Sequence, residues 1–206
     1  MCGRNFVTLN ASQLAKKYDA DRNQSSFNGS YNIAPGNKHP VVREGSIVLE
    51  DMQWNFVPEW ADSFTEWSQK SVINSRLEKV DENNLFKEAY QNKRCIIPSS
   101  GFYEWKETKM GKQPYRIMPK EDEVFSLAGI WSSFEKEGEE VHTFSILTMK
   151  PNSKMSELHD RMPVILSEGR NMEWINGSLE KKEIQKYPSD LMEVQKVSKK
   201  VNNPSN

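Results

Sequence analysis

Apolar residues recur along this chain in short bursts, and their spacing changes from one stretch to the next. Over residues 10–18 they fall at Ala11, Leu14, Ala15 and Tyr18, one face of a helix that Asn10 is suited to cap. Residues 19–30 are rich in Asp, Asn, Ser and Gly and predict a surface loop. The Pro35-Gly36 turn then separates a short apolar piece from Val41-Val42 and Ile47-Val48-Leu49, two strands hinged at Glu44-Gly45. Residues 53–61 predict a strand stopped at Pro58, whose nitrogen cannot donate to a ladder. A loop to about residue 71 follows, carrying Trp60, Phe64 and Trp67.

Residues 72–78 begin β-branched and turn polar, and residues 81–92 place Leu85, Phe86, Ala89 and Tyr90 on one helical face. A buried strand at 94–98 and a hairpin of 101–106 with 114–118 come next. Two more strands, 124–131 and 141–149, flank the charged turn 135–140. A short helix at 152–158, a strand-like 164–166, helices near 170–175 and 179–186 and a last strand within 194–201 complete the pattern. With no internal repeat, linker or Gly-rich phosphate loop, the expected fold is α+β: eight to ten short strands in a curved, mostly antiparallel sheet or open barrel, with helices around it. Its 206 residues are expected to form a single domain, 1–206.

Composition narrows the class. With 36% hydrophobic and 28% charged residues the chain is neither disordered nor membrane-spanning, and no apolar run approaches the roughly 18 residues a span needs. A cytoplasmic address, nucleoid-associated when bound to DNA, is the expectation, and so is a monomer. Two cysteines without CxxC spacing argue against zinc and against a disulfide framework, leaving Cys95 as a buried small hydrophobe. A net charge of −1 gives no general pull toward nucleic acid, so any such role needs a local cluster.

Cys2 is the first candidate for chemistry. Removal of Met1 would make it a 1,2-aminothiol, with an α-amine of pKa about 7.7–8.0 and a thiol of about 8.5, so that a useful fraction of each is nucleophilic near neutral pH. An aldehyde taken by the amine gives a Schiff base, which the thiol closes into a thiazolidine. Glu104, between Tyr103 and Trp105, is either a partly desolvated acid/base or a wet edge-strand carboxylate. His159 lies on the tight segment before Pro163 and suits proton transfer, or is a surface histidine; His39 and His142 read as structural or solvated. Asn74 and Arg76 share one face of an extended segment, Arg76 suiting phosphate and Asn74 able to orient a nucleophile, unless both are ordinary polar residues.

Seven motifs in order, MCGR at 1–4, YNIAPG at 31–36, VPEW at 57–60, INSRLE at 73–78, RCIIPSSGFYEW at 94–105, LHDRMP at 158–163 and VSKKVNN at 197–203, resemble the SRAP (SOS response-associated peptidase) family across essentially the whole chain. Members of that family shield abasic sites in single-stranded DNA. The resemblance implies a reversible covalent crosslink to abasic single-stranded DNA through Cys2, with Asn74, Glu104 and His159 as catalytic partners and removal of whatever precedes Cys2. It implies that Arg4, Arg76 and Arg161 hold phosphates and that Pro35, Trp60 and Thr148 shape the DNA path, with no metal and no cofactor. Two positions depart from the pattern: Leu77 stands where a small residue is usual, and Ala61 follows Trp60 where some members carry a second aromatic. A cysteine peptidase acting in trans and a non-covalent single-strand-binding module are the competing readings.

Overall fold

A computed structural model describes residues 2–44, 47–136 and 138–203. Gly45 of the expected first hinge and Glu137 of the expected charged turn lie outside the described residues. In chain order the elements are β1 (Asn5–Val7), α1 (Ala11–Lys17), β2 (Arg22–Asn23), β3 (Ser30–Ile33), β4 (Lys38–Arg43), β5 (Val48–Trp54), α2 (Phe64–Ser68), β6 (Asn74–Arg76), α3 (Lys87–Asn92), β7 (Arg94–Ser99), β8 (Gly101–Lys106), β9 (Gln113–Pro119), β10 (Phe125–Lys136), β11 (Glu139–Met149), α4 (Ser153–Ser156), β12 (Met162–Pro163), α5 (Asn171–Ile175) and β13 (Met192–Lys196). Single 3-10 turns sit at Leu77–Lys79, Lys181–Glu183, Ser189–Leu191 and Lys199–Asn202.

Five strands close on themselves in the order β11, β10, β7, β4, β5 and back to β11. A ring with an odd number of strands cannot alternate direction throughout, so one neighbouring pair must run parallel. That pair is β5 with β11, joined only at Gln53–Thr143 and Phe144–Trp54. The expected curved sheet is therefore a closed barrel with a parallel seam, its interior filled by Trp54 stacked on Phe144 at 6.1 Å between ring centroids and by Ile97, Leu127 and Ile146. A second, wholly antiparallel sheet runs β13, β9, β8, β1, β3. The two sheets share one apolar core that extends from Cys2 to Met192.

The chain steps from barrel to sheet at Ser99-Ser100-Gly101. Glycine is required there because a Cβ on Gly101 would stand 2.3 Å from the Ile117 carbonyl and 2.5 Å from the Phe6 ring. Phe102, the next residue, is fully buried against Phe125, a placement worth about 2–3 kcal/mol of apolar transfer. The expected Pro35-Gly36 turn is present: Asn37 N donates to Ala34 O at 3.1 Å, and Gly36 supplies the positive φ of 87° that such a turn needs at its third residue.

Several expected elements are shorter or displaced. The strand expected at 53–61 is the end of β5, which stops at Trp54; the loop after it holds α2, capped by Ser63 accepting from Glu66 N. The helix expected over 81–92 forms only at Lys87–Asn92, and Asp81 to Phe86 fold as turns around Asn83, whose Oδ1 accepts from Leu85 N. In the loop expected at 19–30 the two residues of β2 pair with β5, and the strand-like 164–166 makes a single bridge, Leu127 with Ile165. The expected helix at 179–186 is one 3-10 turn, and the last strand is Met192–Lys196, with residues 199–202 turning into a 3-10 turn.

Candidate active site

The groups around Cys2 are carried by β8 and by the two segments that pair with the last third of β11. Beyond Phe144 the end of β11 leaves the barrel wall and takes new neighbours on both edges. On the edge that β5 has just vacated, β6 runs parallel to it, pairing Asn74 with Ile146 and Arg76 with Thr148. On the other edge β12 runs antiparallel, pairing Pro163 with Thr148. The INSRLE and LHDRMP stretches thus meet across one strand, although 84 residues of sequence separate Asn74 and Leu158 only on paper. Thr148, fully buried between them, donates from Oγ1 to Ser75 O at 3.2 Å.

The N-terminal stretch lies beside β8: Tyr103 N donates to Arg4 O at 2.9 Å, and Asn5 pairs with Phe102. Asn5 anchors this stretch to the barrel. Its Nδ2 donates to His39 Nε2 at 3.0 Å, while its Oδ1 accepts from Phe6 N and from Ser99 Oγ. His39 Nδ1 then donates to Pro40 O at 2.8 Å, so the buried ring is neutral, and burial pushes its pKa down to about 4. His39 is structural, as expected, and Asn5 is a supporting residue that no sequence pattern singled out.

Cys2 is fully buried, and Asn74 Nδ2 donates to its carbonyl oxygen at 2.9 Å. Burial raises the thiol pKa, and the nearby Glu104 carboxylate pushes it the same way. Both work against the thiolate that the sequence leads one to expect near neutral pH. Glu104 sits on the inward face of β8 with Phe102 and is 3% exposed. Burial holds its pKa above the usual carboxylate range, with His159 close enough to pull in the opposite direction. Of the two readings open for Glu104, the desolvated one is what the fold provides.

His159 caps this group from the far side, about a quarter exposed. Its Nδ1 lies 3.0 Å from Arg161 N and 2.8 Å from Asp160 Oδ1. These are alternatives set by the proton: the neutral nitrogen accepts from the backbone N–H, and the protonated one donates to Asp160. A cleft of about 410 Å³ opens over Glu104 and His159, with Trp105, Lys112 and Asn202 as its other walls.

The expected phosphate-binding residues divide. Arg76 is exposed, and no hydrogen bond or ion pair holds its guanidinium among the described residues. Arg161 instead spends its fork on Glu78, with Nη1–Oε1 and Nη2–Oε2 both 2.8 Å, and adds a bond to Thr148 O. This clamp ties the 3-10 turn after β6 to the end of β11. Arg4 donates from Nη1 to Asn32 Oδ1 at 2.7 Å and to Val201 O at 2.8 Å, so it too is engaged. Pro35 lies half-buried in its turn, and Trp60 stands 62% exposed with Trp67 of α2 edge-on at 5.1 Å and Lys70 above Trp67. Ala61, where some family members carry a second aromatic, packs with Val57 and Phe134. Leu77, the other departure, is buried in the main core. Among the described residues no group of three or more His, Cys, Asp or Glu is placed to hold a metal ion, and no helix is long and apolar enough to cross a membrane.

Comparison with known proteins bears on this arrangement. The family described as SOS response associated peptidase (SRAP) matches residues 1–204. The abasic site processing protein YoqW of Bacillus subtilis is 35% identical, over all of this chain and 96% of its own. YedK of Escherichia coli, also named an abasic site processing protein, is 28% identical over 89% of this chain and 83% of its own. A crystal structure of a Bacteroides thetaiotaomicron protein superposes with a TM-score of 0.91 at 26% identity, covering 100% of this chain and 97% of that one. A barrel with a parallel seam, a Cys2 held by Asn74 beside a buried Glu104, and a family match from residue 1 to 204 together make this chain a member of the SRAP family.

Proposed function

We propose that this protein processes abasic sites in single-stranded DNA by forming a reversible thiazolidine crosslink through Cys2. The observation that carries the reading is a connected group: Cys2, held by Asn74, feels the buried Glu104 carboxylate, and Glu104 and His159 line one cleft. Residues 1–206 act as one domain, which the shared core from Cys2 to Met192 supports.

Once Met1 is removed, the chemistry follows from atoms already in reach. The open-chain aldehyde of an abasic deoxyribose accepts the Cys2 amine, forming a C–N bond and releasing water as the imine appears. The thiol then adds across C=N: sulfur bonds to carbon, and the S–H proton passes to nitrogen. His159 favours ring opening by exchanging a proton with the sugar oxygen, and Glu104, poised above the usual carboxylate range, relays protons during imine formation and its hydrolytic reversal. Asn74 fixes the Cys2 carbonyl and so the direction of the amine. Arg76 and the exposed Trp60 are the open contacts for a strand.

A cysteine peptidase acting in trans fits less well. Such an enzyme needs a thiolate, and burial and Glu104 both work against one here. Mixing the purified chain with abasic single-stranded DNA tests the proposal: a denaturation-resistant adduct is expected from the parent and none from Cys2→Ala. Equal binding to intact and abasic strands with no covalent product would overturn it in favour of a passive single-strand binder.

A further inference from the structure

The two arginines closest to the cleft are committed, Arg4 to Asn32 and Val201 and Arg161 to Glu78. The cleft nevertheless contains one cation and one amide that have no assigned role, Lys112 on the β8–β9 turn and Asn202 on the last 3-10 turn. Resting on the reading of this cleft as the abasic-site pocket, we propose that Lys112 and Asn202 form a phosphodiester-binding subsite for a linkage flanking the abasic sugar.

Asn202 is held in one orientation. The C-terminal stretch crosses the five-stranded sheet as a strap. Val197 bonds with Pro114 and Gln113 on β9, Asn202 with Trp105 on β8, Val201 with Arg4 ahead of β1, and Asn203 with Asn32 on β3. Within that strap Asn202 Oδ1 accepts from Trp105 Nε1 at 2.8 Å. This fixes which end of the amide is oxygen and leaves Nδ2, a donor with two hydrogens and no partner among the described residues, for the cleft. Lys112 brings the charge. Among the described residues its one ion pair is a 3.5 Å contact with Glu107, and both side chains are largely exposed, so a phosphate can displace it at little cost. An oriented N–H donor beside a mobile ammonium, at the rim of a cleft whose floor is Glu104 and His159, suits a singly charged phosphodiester oxygen next to a sugar bound below. The opening of about 410 Å³ accommodates a nucleotide-sized group.

The test uses a single strand carrying one tetrahydrofuran abasic analogue, which has no aldehyde, so that binding is read apart from chemistry. Lys112→Ala removes the charge from an exposed turn. Asn202→Asp keeps the Oδ1 acceptor for Trp105 but replaces the donor with a carboxylate oxygen. Each is expected to weaken binding roughly three- to tenfold, and Lys112→Ala to flatten the salt dependence by about 0.7 in slope. A neutral methylphosphonate at one of the two linkages flanking the analogue should weaken binding by the parent but not by Lys112→Ala. Parental affinity and slope in both variants, or a methylphosphonate penalty as large in Lys112→Ala as in the parent at both linkages, overturns the subsite. Crosslinking of the parent to a true abasic strand is measured alongside, so a failure of the pocket shows there and a failure of the subsite shows in the variants.

Discussion

Glu104 shows how one residue couples stability to function. Its folded-state pKa lies above the ordinary carboxylate value because burial penalises the charge, so between those two values the folded state binds more protons than the unfolded one. Stability contributed here is complete below the ordinary carboxylate pKa and is lost as pH rises through the folded value. Glu104→Gln, which cannot ionise, should therefore raise the melting temperature at pH 7 to 8, with the gain vanishing near pH 4. The same variant should slow crosslinking and release by about 10²–10⁴-fold, the usual scale for loss of an acid/base group. A melting gain that persists at pH 4 would show that something other than the charge is responsible. His39 has the opposite sign: its pKa is depressed to about 4, so stability is lost as pH falls from the ordinary histidine value of about 6.5 toward 4. At about 1.4 kcal/mol per pH unit, up to about 3 kcal/mol of acid lability belongs to this ring, and denaturant titrations of His39→Gln should lose most of the slope in that window. An unchanged slope would place the acid lability elsewhere.

At the scale of elements, the site is a junction where β6 and β12 grip the free end of β11, and the Arg161–Glu78 pair fastens one to the other. Glu78 is partly exposed, so Glu78→Ala should cost no more than about 1 kcal/mol globally. It should still lower hydrogen-exchange protection at residues 74–76 and 162–164 while leaving β7 and β10 unchanged. Equal loss across the barrel would deny the junction its independence. Sequence pattern found the strands that carry alternation and the turns that carry Pro-Gly; of the residues it singled out, Glu104 and His159 line one cleft and Asn74 bonds to Cys2. It could not find the seam, because whether β5 pairs with β11 depends on a long-range closure that local periodicity does not encode. For the same reason the Arg161–Glu78 pair is not legible in the sequence: the partners lie 83 residues apart and only the fold brings them together. The helix expected at 81–92 is shorter than its apolar spacing implies because that spacing continues through Leu85 and Phe86, which fold as turns.

For the whole molecule, a net charge of −1 makes DNA capture a matter of a few placed cations rather than a general field. Binding to an intact single strand should accordingly show a shallow salt slope, a few contacts at about 0.7 each, and Arg76→Ala should remove about one of them. A steep parental slope unaffected by Arg76→Ala would move the strand to another surface. The central claim is narrower than binding: both the amine and the sulfur of Cys2 end bonded to the same sugar carbon. Peptide mass spectrometry of the adduct, after denaturation and treatment with an alkylating agent, reads this directly. The account predicts an N-terminal peptide beginning at Cys2, joined to the DNA remnant with the loss of one water and carrying no alkylated sulfur. An adduct whose Cys2 thiol is alkylated, or one joined through a lysine, would contradict it.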